Sequence, residues 1–172
     1  RHLATRGGQT AIVWEPDDPA TPVRTLTYRE LHEATCRFAN LLKAEGVRKG
    51  DRVTIYLPMV PEAAVAMLAC ARIGAVHSVV FGGFAANELA TRIDDAKPKV
   101  ILSASCGLEV GRIVKYKPLL DEAIRLARHK PEACLILQRP QEEAALVAGR
   151  DHDWAKLRDE AIVFARSVYD CV

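Results

Sequence analysis

The residues best placed to do chemistry are Gly82-Gly83 and the basic set Arg112, Lys115 and Lys117. The glycine pair follows an apolar run and precedes a helical one. Phosphates bind at such places, because glycine lets backbone N–H groups approach and a helix N-terminus is electropositive. From spacing alone the pair reads first as a tight strand-to-helix turn, and it matches neither the dinucleotide glycine pattern nor the P-loop. Arg112, Lys115 and Lys117 read as a basic loop after the strand Val100–Ala104. Ligands of open parallel sheets bind beyond the carboxyl ends of strands, so an anionic ligand and a merely solvated loop both fit. Asp151-His152-Asp153 could suggest a metal site, but three adjacent residues do not converge on one ion, and a helix cap in a polar loop reads better. His77 reads as a structural histidine within a strand. No serine lies in a G-x-S-x-G elbow.

The elements that must hold these residues alternate. Asp51–Phe84 reads as a buried strand–helix–strand unit. Strands are expected at 10–15 and 23–27, forming an antiparallel hairpin within 10–27. A helix follows from Tyr28 to Glu45, with Thr27 and Glu30 as a capping box and Gly46 as its stop. The periodicity then predicts strand 53–57, helix 61–73, strand 76–81, helix 85–96, strand 100–104, helix 119–129 and strand 134–138. Pro61 starts the second helix, which is apolar nearly all round and so expected to be covered on most sides. Repeated strand–helix units over 28–139 imply an α/β fold, a layered αβα arrangement around a mostly parallel sheet. Residues 140–172 read as a surface connection and then a helix from Trp154 to about Arg166, capped by Asp153.

Composition bounds the function classes. Of 172 residues, 49% are hydrophobic and 27% charged, which is ordinary for a globular domain. A net charge of +2 with mixed signs gives no argument for a nucleic-acid partner. The best membrane candidate, 63–84, carries Arg72 near its middle, at a cost of about 2.5–3.5 kcal/mol, so membrane insertion is not expected. Cys36, Cys70, Cys106, Cys134 and Cys171 are widely spaced, which argues against a zinc site or disulfide framework and for a reducing compartment. Cys70 and Cys134 read as small buried hydrophobes. The start at Arg1 and the end at Val172 read as internal to a longer chain.

Three segments carry a family resemblance: LTYRELHE (Leu26–Glu33), the long block Gly50–Phe84, and GLEVGRIVKYKPLLDEAI (Gly107–Ile124), supported by GRDHDW (Gly149–Trp154). Together they resemble the AMP-forming short-chain acyl-CoA synthetases of the adenylate-forming superfamily, the propionate-preferring branch more than the acetate one. The resemblance implies part of the large N-terminal domain of such a ligase. The reaction it implies uses ATP and Mg²⁺ to convert propionate or acetate to acyl-AMP, then passes the acyl group to coenzyme A. It further implies a coenzyme A contact at Phe81, Gly82, Gly83 and Arg112, with Phe81 against the adenine and Arg112 near the phosphates. The acetate enzymes carry a second arginine where this chain has Glu109. No catalytic residue and no metal ligand falls on this segment. The Ser/Thr/Gly-rich ATP loop, the acyl-pocket tryptophan and the C-terminal domain with its lysine are expected beyond Val172, so the segment alone is expected to be inactive. The expected compartment is the cytoplasm, or the mitochondrial matrix in a eukaryote. The alternatives are a truncated non-catalytic coenzyme A-binding or interaction module, and an adenylate-forming ligase for another acid.

Overall fold

The computed structural model describes residues 3–16, 18, 20–109 and 111–158. A short α1 (Leu3–Arg6) leads into β1 (Thr10–Trp14) and β2 (Arg24–Thr27), which pair antiparallel. Next come α2 (Tyr28–Ala44), β3 (Arg52–Tyr56), α3 (Pro61–Ile73), β4 (Val76–Val79) and α4 (Ala86–Ala96). The chain continues through β5 (Val100–Ala104), β6 (Cys106–Glu109), β7 (Arg112–Lys115), α5 (Tyr116–Leu126), β8 (Ala133–Leu137) and β9 (Asp151–Asp153).

The central sheet has the order β4-β3-β5-β8-β9, and every neighbouring pair in it is parallel. Side chains alternate across it, as the two-residue strand period requires. Val53, Ile55, Val100, Leu102 and Leu135 face the layer that holds α2 and α3, with Phe38, Leu41 and Leu42. Tyr56, Ile101, Cys134 and Ile136 face the layer of α4 and α5, with Leu89, Ile93 and Leu120. The result is the expected αβα sandwich. Each fully buried Leu or Ile contributes about 1.5–3 kcal/mol by transfer from water, so β5, buried at every position, anchors the structure.

Local signals account for the ends of the elements. Thr27 Oγ1 accepts from the Glu30 N–H at 3.2 Å, while Glu30 Oε2 accepts from the Thr27 N–H at 2.7 Å, the reciprocal capping box. Gly74 closes α3 at φ +72°, a left-handed conformation that a side chain disfavours.

The structure differs from the sequence expectations at five places. First, α5 begins at Tyr116, not Leu119. Pro118 does not delay it, because a first-turn N–H has no helical partner to lose. Second, Arg112–Lys115 is a strand of a β6–β7 hairpin, and Lys117 lies buried in α5, so there is no basic loop. Third, Asp151–Asp153 is a parallel edge strand rather than a loop, although Asp153 Oδ1 does accept from the N–H groups of Ala155 and Lys156 at 2.8 and 3.2 Å. Residues 154–158 are helical, and the rest of the helix expected to reach Arg166 lies outside the described residues. Fourth, His77 is exposed, because β4 is an edge strand, and Val76 and Val79 are exposed with it. Fifth, α3 is buried on one face only, leaving Leu68 and Arg72 exposed.

Candidate functional site

At the carboxyl end of the parallel sheet the chain leaves β4 through Val80, whose N–H still donates to Ile55 O at 2.9 Å. The turn Phe81–Phe84 follows, closed by the Phe84 N–H donating to Phe81 O at 3.1 Å. The Phe81 ring is 72% exposed and meets Phe84 edge-on, with centroids 5.9 Å apart at 79°. A large apolar ring left this open is a ready stacking surface. A Cβ built on Gly83 would lie 2.5 Å from Phe81 Cε1, so the ring rests over a bare stretch of backbone.

Gly82 has a different reason to be glycine. It is buried, and a Cβ there would lie 1.9 Å from Tyr116 Oη. Neither Gly82 nor Gly83 has a positive φ, so space rather than backbone freedom excludes a side chain at 82. Tyr116 stacks on Tyr56 at 4.9 Å and 26°. The Tyr56 hydroxyl donates to Phe84 O at 3.3 Å and Gly82 O at 3.4 Å, long bonds that still hold the turn from below. Burial, aided by the neighbouring Tyr116, pushes the Tyr56 phenol up to about 12, so it remains a donor at neutral pH.

Arg112 opens β7 opposite Glu109. Its guanidinium donates through Nε and Nη2 to Glu109 Oε2 at 2.8 and 2.6 Å, and its side chain is 71% exposed. The other two basic residues of this stretch also have acidic partners. Lys115 pairs with Glu142 at 2.7 Å. Lys117, 3% exposed, is held by Asp121 at 2.6 Å and Asp151 at 2.9 Å. The hairpin is rooted through Ser105, whose carbonyl accepts from the Tyr116 N–H at 3.1 Å and whose Oγ accepts from the Arg139 N–H at 2.9 Å.

The structure therefore puts Phe81, Gly82 and Gly83 in one turn, and Arg112 on the β6–β7 hairpin, whose Gly107 meets the same Tyr116 ring that meets Gly82. The sequence reading missed Tyr56 and Tyr116. Tyr56 closes β3, 26 positions before Gly82, so no local signal tied it to the Gly-Gly turn. Nothing local pointed to Tyr116 either, which meets Gly82 and Gly107 only through the fold.

Cys36, Cys70, Cys106 and Cys134 are buried free thiols. Burial pushes Cys70 and Cys134 up to about 12, so both are unreactive thiols; Cys171 lies outside the described residues. Among the described residues no cluster of three or more His, Cys, Asp or Glu could hold a metal ion. No helix among them is long and apolar enough to cross a membrane.

The sequence profile of the AMP-binding enzyme family matches residues 1–164. The chain is 56% identical over 155 residues to an acetyl-coenzyme A synthetase of Novosphingobium aromaticivorans, covering 90% of this chain and 24% of that protein. It is 50% identical over 175 residues to the mitochondrial acyl-CoA synthetase short-chain family member 3 of Rattus norvegicus, covering 100% of this chain and 25% of that protein. Its fold matches the acetoacetyl-CoA synthetase from Streptomyces lividans with a TM-score of 0.80 at 28% identity, over 92% of this chain and 24% of the other. The chain thus spans about a quarter of the length of these proteins.

Proposed function

The chain belongs to the AMP-binding enzyme family, and from that premise we propose that it is a segment of an AMP-forming ligase joining a short-chain carboxylate, propionate or acetate, to coenzyme A. A carboxylate repels nucleophiles. In the proposed reaction a carboxylate oxygen bonds to the α-phosphorus of ATP and pyrophosphate leaves. The coenzyme A sulfur then bonds to the acyl carbon and AMP leaves. Both steps depend on stabilising charge on phosphates. We assign ATP, its Mg²⁺ and the groups that act on them to the full-length protein outside this segment.

In this reading the segment supplies one wall of the coenzyme A site. Phe81 offers its exposed face to the adenine, and Gly83 keeps the adjoining backbone open. Gly82 shapes the turn by making room for Tyr116. Arg112 faces the phosphates, with Glu109 as a competing partner for its guanidinium. The observation that carries the assignment is the exposed Phe81 ring on a braced turn at the carboxyl end of a parallel sheet. The names of the relatives, acetyl-coenzyme A synthetase and acyl-CoA synthetase, support the substrate class. For the compartment we propose the cytoplasm, or the mitochondrial matrix in a eukaryote; the buried free thiols are compatible with either.

The test uses the full-length protein. Stacking on an aromatic ring is worth about 1–3 kcal/mol per base, so Phe81→Ala should raise KM for coenzyme A about 5- to 140-fold. Carboxylate-dependent exchange of pyrophosphate into ATP, which needs no coenzyme A, should change far less. If Phe81→Ala and Arg112→Ala both leave KM for coenzyme A at its original value, the site assignment is wrong. Comparing kcat/KM for propionate and acetate decides the branch, because one methylene is worth about 10- to 200-fold in an apolar pocket. A clear preference for acetate would remove the propionate assignment.

A further inference from the structure

We infer that Tyr116 is a positioning residue whose ring sets the spacing between the Phe81–Gly83 turn and the β6–β7 hairpin that carries Arg112. The inference rests on the reading of this corner as the coenzyme A nucleotide site.

Tyr116 is nearly buried and opens α5, where its N–H is tied to Ser105 O at the end of β5. Three neighbours fill the space around its ring. Toward the turn, a Cβ on Gly82 would lie 1.9 Å from its Oη and 2.7 Å from its Cζ. Toward the hairpin, a Cβ on Gly107 would lie 2.7 Å from its Cε1. Against its face, Tyr56 stacks at 4.9 Å. Real Cβ atoms essentially never come that close, so the ring occupies the volume of two absent side chains. Neither glycine has a positive φ, so the backbone conformation there does not demand glycine, whereas the ring does. Phe81 is bonded directly to Gly82, and Gly107 pairs with Val114 in the hairpin where Glu109 pairs with Arg112. A change in the ring therefore reaches both proposed ligand contacts at once.

A smaller side chain leaves a void that packed surroundings refill by shifting. The turn and the hairpin would move relative to each other, and a displacement near 1 Å at a binding group can cost up to about 100-fold. In the full-length protein, Tyr116→Leu should raise KM for coenzyme A roughly 10-fold, while carboxylate-dependent ATP–pyrophosphate exchange falls much less. Tyr116→Phe, which keeps the ring, should restore most of the affinity. Gly107→Ala pushes on the ring from the hairpin side without altering it, and should give the same selective rise; it decides the matter if Tyr116→Leu does not fold.

The inference fails if Tyr116→Leu and Gly107→Ala both leave KM for coenzyme A at its original value. It also fails if they depress exchange and thioester formation in equal proportion, since that marks a general packing role. Phe81→Ala and Arg112→Ala, assayed alongside, separate the two levels. If these raise KM for coenzyme A and Tyr116→Leu does not, the positioning role alone is wrong. If none of the four variants raises it, the nucleotide-site reading falls and the role of Tyr116 falls with it.

Discussion

At Arg112 the proposed phosphate contact would compete with an ion pair for one guanidinium. Glu109 accepts two of its N–H groups at 2.8 and 2.6 Å, and both side chains are largely exposed. A pair so open to water is worth roughly 0–1 kcal/mol, too little to hold the arginine away from the phosphate proposed to lie there, and at its upper end enough to weaken that proposed contact. Glu109→Gln should therefore lower KM for coenzyme A about 2- to 5-fold, measured on the full-length protein at low salt, where surface charges are least screened. Thermal stability should hardly change. An unaltered KM in both Glu109→Gln and Arg112→Ala would mean that no phosphate approaches Arg112. The presence of both residues was legible in the sequence. Their mutual pairing was not, because it depends on the β6–β7 register that sets Glu109 opposite Arg112.

Among the elements, α4 carries a local conflict. Its C-cap, Lys97, has φ +48°, the one positive φ among the described non-glycine residues. A side chain there is strained by about 1–2 kcal/mol. Arg52 offsets part of this by donating to Ala96 O at 3.0 Å and to Lys97 O at 3.1 Å, covering carbonyls that the helix end leaves open. Lys97→Gly should raise stability by about 0.5–1 kcal/mol, the strain relieved less the entropy that glycine loses, seen as a higher midpoint in urea; no rise would mean that Lys97 makes a compensating contact in solution. Elements with strong local signals were readable in advance. The Thr27–Glu30 capping box and the apolar run of β5 needed no knowledge of neighbours. β9 gave no such signal, because Asp-His-Asp has low strand propensity and pairs only because β8 offers it an edge.

Across the whole molecule, a buried group of charges fastens β9 to α5. Asp151, whose side chain is 0% exposed, accepts from Lys117 at 2.9 Å and Arg150 at 2.6 Å, and Asp121 pairs with both cations. Burial alone would push the Asp151 carboxyl up; hydrogen bonds from Arg150, Lys117 and the Val147 N–H outweigh it and hold the carboxyl below its ordinary range. A lowered folded value means that its contribution is complete above the ordinary carboxylate pKa near ~4 and is lost as pH falls through the lower folded value. Asp151→Asn leaves Lys117 buried with one carboxylate fewer, and should cost about 3 kcal/mol. Hydrogen exchange at the Val147 amide, which donates to Asp151 Oδ2 at 2.9 Å, should speed up accordingly. Replacing the pair together, Lys117→Met with Asp151→Leu, should recover most of the loss; equal protection in Asp151→Asn and the wild type would show that the pair contributes nothing. What the sequence determined by itself was whatever follows from local periodicity and motif: the strand–helix alternation, the helix caps, the αβα class and the family. Tertiary structure alone decided which charges are buried, which strand forms the edge, and why Gly82 is glycine. Those depend on Asp151 reaching Lys117, on β4 lying outermost, and on Tyr116 filling the space beside the turn. Contacts between residues far apart in sequence leave no periodic trace in the residues that make them.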